Sequence, residues 1–155
     1  MMKTASERIA FWGALFLLVL AIATFEARVV WAQTASVKYR VFLRADGVPK
    51  LGDYVNVTVR HPIIDPGKAV RLTKRVGCTA GQLFELRDGE DFCDGQSLGK
   101  VLSHTSRGQR LTAFAWSGPI PPGKMFVVGD RPNSFDSRYF GFVDLAGAQR
   151  LCPLF

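Results

Sequence analysis

The chain has 155 residues, 48% hydrophobic and 21% charged, a balance that excludes both a disordered protein and a bundle of several membrane spans. Fifteen Gly, eight Pro and twelve Phe favour short strands and many turns over long helices, while three Cys and two His leave no dense disulfide scaffold and few metal ligands. Lys and Arg exceed Asp and Glu by 20 to 13; the formal charge of +7 suits an anionic partner without choosing between lipid headgroups and nucleic acid.

The first element is an uncharged apolar run over 9–25, IAFWGALFLLVLAIATF. At 1.5 Å per residue such a run lies at the short end of the range that crosses a hydrocarbon core of about 30 Å. It is apolar on every side, unlike a core helix with a polar stripe. It is also longer than the apolar region of a cleavable secretory signal, although Ala21-Ile22-Ala23 would suit such a cut. Lys3 and Arg8 precede the run and favour an N-terminus inside. The expected organisation is a cytoplasmic tail over 1–8, a transmembrane anchor or uncleaved signal over 9–25, and an exported domain over 26–155. Over 1–27, Lys3 and Arg8 cancel Glu7 and Glu26, so the whole surplus of +7 falls beyond residue 27. Such a domain, with its many Phe, is expected to rest on an anionic phospholipid membrane.

Beyond the apolar run the pattern is that of short strands. Val55, Val57 and Val59 alternate with Asn56, Thr58 and Arg60, which predicts a half-buried strand over 54–60. Further strands are predicted at 39–43, 70–76, 82–86, 125–128 and 139–143. Turn residues separate them at Asp46-Gly47, Asp65-Pro66-Gly67, Asp88-Gly89, Asp94-Gly95 and in GPIPPG over 118–123. The expectation is one mainly β domain behind an N-terminal helix.

No Gly-x-Ser-x-Gly, His-Glu-x-x-His, phosphate loop or Cys-x-x-Cys occurs in the chain. His61 precedes Pro62 in a turn and His104 stands in a polar stretch, both positions of solvated loop residues. Asp88, Glu90, Asp91 and Asp94 cluster around Gly89 and are expected in a solvated loop rather than a cation site. Cys78 and Cys93 flank turns and are disulfide candidates in an exported domain; Cys152 is a free thiol or a competitor for that pairing. The cations are scattered rather than clustered, which argues against nucleic acid as the partner.

The stretch over 129–141 crowds small, hydroxyl and charged residues between apolar segments. By itself it reads as a loop with an Asp136–Arg138 ion pair. Its Ser-x-Asp-Ser-Arg-Tyr-x-Gly run, Ser134 to Gly141, resembles the C-terminal box of bacterial type I signal peptidases. Two further blocks resemble that family in order and spacing: Lys50-Leu51-Gly52-Asp53-Tyr54-Val55, and Lys74-Arg75 with the Gly77-Cys78 that follows. The similarity covers 34 to 142 and is nearest to the conjugative-transfer peptidases of the TraF type. The chain departs from the family in lacking the usual Ser-Met pair, in having Lys38 where Pro often stands, and in lacking one residue between Asp130 and Asn133.

The resemblance implies a twisted antiparallel β domain and a membrane-anchored serine endopeptidase without metal or cofactor. Ser36 would be the nucleophile and Lys74 its base, a lysine acting only when burial keeps it neutral. Thr34 would help hold the oxyanion, Ser134 would orient Lys74, and Asp136 with Arg138 would form a structural ion pair. Substrates would be exported precursors, pilin or other transfer proteins, with small residues before the cut. The enzyme would be a monomer in the bacterial inner membrane, single pass, with its catalytic domain on the periplasmic face. A general signal peptidase and a non-catalytic tethered β module are the alternatives.

Overall fold

A computed structural model describes residues 4–26, 28–33 and 35–155; Thr34 and residues 1–3 of the expected tail lie outside the described residues. Helix α1 (Ala5–Glu26) begins four residues ahead of the apolar run, and none of its residues is buried. Its start is a reciprocal cap: Glu7 N–H donates to Thr4 Oγ1 at 3.3 Å and Thr4 N–H to Glu7 Oε2 at 3.0 Å. By length and composition α1 can cross a membrane.

The rest folds as two antiparallel sheets. The larger contains β1 (Val29–Trp31), β2 (Val41–Arg44), β3 (Tyr54–Val59), β4 (Val70–Thr79), β9 (Lys124–Val128), β10 (Val143–Asp144) and β11 (Gln149–Pro153), ordered β1-β2-β11-β3-β4-β9-β10. The smaller contains β5 (Leu83–Arg87), β6 (Glu90–Cys93), β7 (Gln96–Lys100) and β8 (Ser117–Pro119), ordered β7-β6-β5-β8. The mainly β architecture behind an N-terminal apolar helix is as expected.

The two sheets are joined through β4. A register shift between Val76 and Cys78 in its pairing with β9 carries it on towards the second sheet. The Cys78–Cys93 disulfide then ties β4 to β6, while Cys152 is free and exposed. Val55, Val57 and Val59 pack with Leu72, Val76 and Met125 beneath the large sheet, and Phe84, Phe126 and Ile120 fill the junction with the small one.

Several expectations need correction. On β3, Asn56 is buried along with the valines, because Thr73 across the ladder donates its hydroxyl to Asn56 Oδ1 at 2.7 Å. Residues 139–142 are not a strand, and only Val143 joins one, β10. Asp136 caps a helical turn, α2 (Ser137–Phe140), and Gly141 ends it at φ 79°, where an added Cβ would strike the Phe114 ring. The carboxylate-rich segment is strand β6 with the turns on either side of it, and Asp91 within the strand is fully buried. The phenylalanines of the domain mostly pack inward, Phe84 on Phe126 at 4.4 Å among them; its exposed aromatics include Trp31, Trp116 and Phe155.

Candidate active site

Lys74 lies on β4, opposite Val55 of β3, and is only 2% exposed. Its amine donates to Ser36 Oγ at 2.9 Å and to Ser134 Oγ at 2.8 Å. Burial pushes the lysine down from its ordinary range to about 8; the Asp136 carboxylate pulls it back up, Arg138 pushes it down and Asp130 pulls it up. Three residues distant in sequence, Ser36, Lys74 and Ser134, thus meet at one nitrogen.

Each serine is held by its own device. Ser36 sits half-buried in the turn before β2, anchored by buried Val37. Its carbonyl accepts the Asp130 N–H at 2.8 Å. The Asp130 carboxylate in turn accepts the Lys38 N–H at 2.8 Å, the Tyr54 hydroxyl at 2.8 Å and Arg75 Nε at 3.0 Å. One carboxylate therefore fastens the Ser36 turn to β3 and β4. Burial, aided by this bond, raises the Tyr54 hydroxyl above its usual range, so it stays a donor. Gly129 allows the close approach: a Cβ there would overlap the Ser134 side chain and press on the Ser36 carbonyl at 2.9 Å.

Ser134 is held through Arg138, which is 2% exposed. Its Nε and Nη2 grip Asp136 at 2.8 Å each, and Nη2 also reaches the Ser134 carbonyl at 3.3 Å. Nη1 donates to the carbonyls of Lys100 at 2.9 Å and Pro132 at 3.2 Å. These acceptors use all five N–H groups of a guanidinium. Asp136 also accepts the Gly129 N–H at 2.8 Å. The expected Asp136–Arg138 pair is present, buried, and wired to both ends of the Ser134 loop. Asp91, on β6, faces this pair from the small sheet. Among the described residues its two oxygens are the buried side-chain atoms without a hydrogen-bond partner. Burial pushes the Asp91 carboxyl up to about 7, with Arg138 opposing and Asp136 adding to the rise.

Beside Ser36 and Lys74 opens a cleft of about 550 Å³. Ile63, Ile64, Leu72, Leu111 and Phe135 supply its apolar wall, which accounts for the dry surroundings of the amine. Of the histidines, His61 is half-buried against Phe135, ring centroids 5.0 Å apart, rather than solvated, and burial lowers its pKa. His104 is exposed, as expected of a loop residue, and stands at the cleft's edge on a loop over 103–111. Of the expected site residues, the structure brings Ser36, Lys74, Ser134, Asp136 and Arg138 together, while Thr34 lies outside the described residues. Asp130 and Gly129 were missed as site-builders, although a Gly-Asp pair directly after an apolar strand is the signal that marks them.

A mainly β domain behind an exposed apolar helix, with a buried lysine between two serines, is an arrangement that suits a peptidase. This chain belongs to the signal peptidase family, peptidase S26, whose family model matches residues 5–148. It is 36% identical over 93 residues to the conjugal transfer protein TraF of Agrobacterium fabrum, covering 58% of this chain and 52% of that protein. It is 35% identical over 81 residues to signal peptidase I V of Bacillus subtilis, covering 45% of this chain and 48% of that protein. The chain thus spans about half the length of the curated relatives it matches. A signal peptidase I structure from Enterococcus faecalis shares 29% identity, covering 70% of this chain and 99% of that one, at a TM-score of 0.46.

Proposed function

We propose that this protein is a membrane-anchored serine endopeptidase that removes leader peptides from exported precursors, with Ser36 as nucleophile and Lys74 as general base. The observation that carries the reading is the Lys74 amine, 2% exposed and 2.9 Å from the Ser36 hydroxyl. A neutral amine at that distance accepts the hydroxyl proton as Oγ attacks the scissile carbonyl. It then returns the proton to the leaving amine. Ser134 directs the amine towards Ser36 by holding it at 2.8 Å. The Ser36 backbone N–H is the first donor to the developing oxyanion and the Thr34 hydroxyl the second, each worth about 100–1000-fold in rate.

Helix α1 anchors the chain, with residues 1–8 cytoplasmic, 9–25 in the bacterial inner membrane and 26–155 as the catalytic domain on the periplasmic face. The monomeric domain rests on anionic lipid. Precursors enter the cleft as extended strands with small residues before the cut. The likeness to a conjugal transfer protein favours pilin or another transfer-system precursor as the substrate; a general signal peptidase is the second reading, supported by the similarity to signal peptidase I V.

The test is cleavage of such precursors in membranes by wild type, Ser36→Ala and Lys74→Ala. Both variants are expected to lose about 10⁴-fold or more in kcat. Wild-type activity should rise with pH through about 8 as Lys74 loses its proton. Processing by both variants as well as by wild type would show that the dyad assignment is wrong.

A further inference from the structure

The charge around the cleft is one-sided. Outside Lys74, its charged lining residues are Arg107 and Arg131, and no Asp or Glu lines it. Both arginines are exposed. The ion pairs found among the described residues use Arg75, Arg87, Lys124, Arg138 and Arg150, leaving Arg107 and Arg131 without one.

The backbone carrying Arg107 is built rather than slack. The 103–111 loop is closed by a bridge between His104 and Arg110 and by Leu111 N–H on the Ser103 carbonyl at 2.8 Å. Inside it, Thr105 Oγ1 accepts both Arg107 N–H and Gln109 N–H at 3.2 Å. Arg131 stands three positions before Ser134, in the loop clamped by Arg138, and its carbonyl accepts the Ser134 N–H at 3.1 Å. Two loops distant in sequence therefore each contribute one arginine to the lining of a cleft with an apolar wall. A guanidinium fork beside a peptide-sized cleft matches a carboxylate bidentately.

We infer that the cleft selects substrates bearing carboxylate side chains within a few residues of the scissile bond, read by Arg107 and Arg131 as specificity residues. This rests on the serine–lysine reading of the same cleft. Small residues at the cut fit beside the apolar wall; acidic residues next to them set which exported chain is taken. Interactions of this kind act on encounter and KM and weaken with salt.

The experiment uses the full chain in zwitterionic detergent micelles and three peptides identical except for Glu, Gln or Lys flanking a small-residue cut on either side. The readout is the ratio of kcat/KM for the Glu peptide over the Lys peptide. For wild type it should be about tenfold at low salt and shrink towards one at about 0.5 M NaCl. It should fall to near one in R107Q/R131Q and invert in R107E/R131E, with KM bearing the change. The same peptides are titrated by fluorescence anisotropy onto Ser36→Ala protein with and without the double charge reversal. Should no peptide be cut while that binding preference persists and reverses, the serine–lysine reading fails and the arginine reading stands. A wild-type ratio near one, a ratio that survives R107E/R131E, or a reversal felt only in binding to anionic-lipid vesicles would overturn the inference.

Discussion

At Lys74 two demands oppose each other: stability disfavours a cation in an apolar wall, and the proposed chemistry needs its neutral form. The folded lysine titrates at about 8 against 10.5 for a free one, so between those values the folded state binds fewer protons than the unfolded chain. Stability therefore rises as pH climbs from about 8 to 10.5, and at pH 7 the full cost of burying the amine is present. Lys74→Met should raise the unfolding midpoint at pH 7, a gain of about 1–3 kcal/mol after the lost serine bonds are discounted, while cleavage disappears. Thermal unfolding in micelles checks it; the gain should dwindle near pH 10, and a destabilised variant at pH 7 would contradict it. Gly129 makes the complementary point about space. Gly129→Ala forces Ser134 and the Ser36 carbonyl apart, and a misplacement of that order is expected to cost about 100-fold in cleavage with the fold retained. Circular dichroism and precursor processing on the same sample separate the two effects.

Among the elements, β6 is where reading by pattern fails most plainly. Residues 88–94 look like a solvated acidic turn, yet the strand folds its Asp91 inward onto the Asp136–Arg138 pair. All five Arg138 donors are already taken, so the Asp91 carboxyl is left with Coulomb attraction and no hydrogen bond. The folded state holds its proton up to about 7, whereas the unfolded chain releases it near 3.8. Stability accordingly falls as pH rises between those values and stays reduced above about 7. Asp91→Asn should stabilise by about 2 kcal/mol at pH 8 and by almost nothing at pH 4, read from denaturant unfolding at both. A gain that is the same at the two pH values would show that the carboxyl does not titrate in the core. The neighbouring mismatch at 139–143 has a local cause instead. Aromatic residues at Tyr139, Phe140 and Phe142 suit a strand, but the Asp136 cap and the left-handed Gly141 leave room for only a helical turn.

For the whole molecule, the junction of the two sheets decides how firmly the site is held. β4 carries Lys74 near its middle and Cys78 near its end, and the disulfide to Cys93 fastens that end to β6. Removing both cysteines (Cys78→Ala with Cys93→Ala) opens a loop of 15 residues and should cost about 3 kcal/mol in the chain-entropy account. Chemical denaturation with and without reductant checks it, the double variant being indifferent to reductant. Helix α1 is less tightly connected. None of its residues is buried, so the domain's core is complete without it, and by length and composition it can cross a membrane.

Much was legible in the chain itself. An apolar run free of charge, alternating valines on β3, turn residues between strands and the spaced blocks around Lys74 and Ser134 are local patterns, because helix and strand periodicities repeat within a few residues. The reciprocal cap at Thr4 and Glu7 was equally local, and it explains why the helix starts earlier than its apolar part. What only the tertiary structure decided was which distant groups share one dry volume. Ser36, Lys74 and Ser134 converge because β4 crosses between the turn before β2 and the loop after β9; Asp130 becomes a four-way clasp and Asp91 a buried acid for the same reason. Desolvation and hydrogen bonding depend on neighbours across the fold rather than along the chain, so a carboxylate in a glycine-rich turn and a carboxylate in a core are indistinguishable until the sheets have packed.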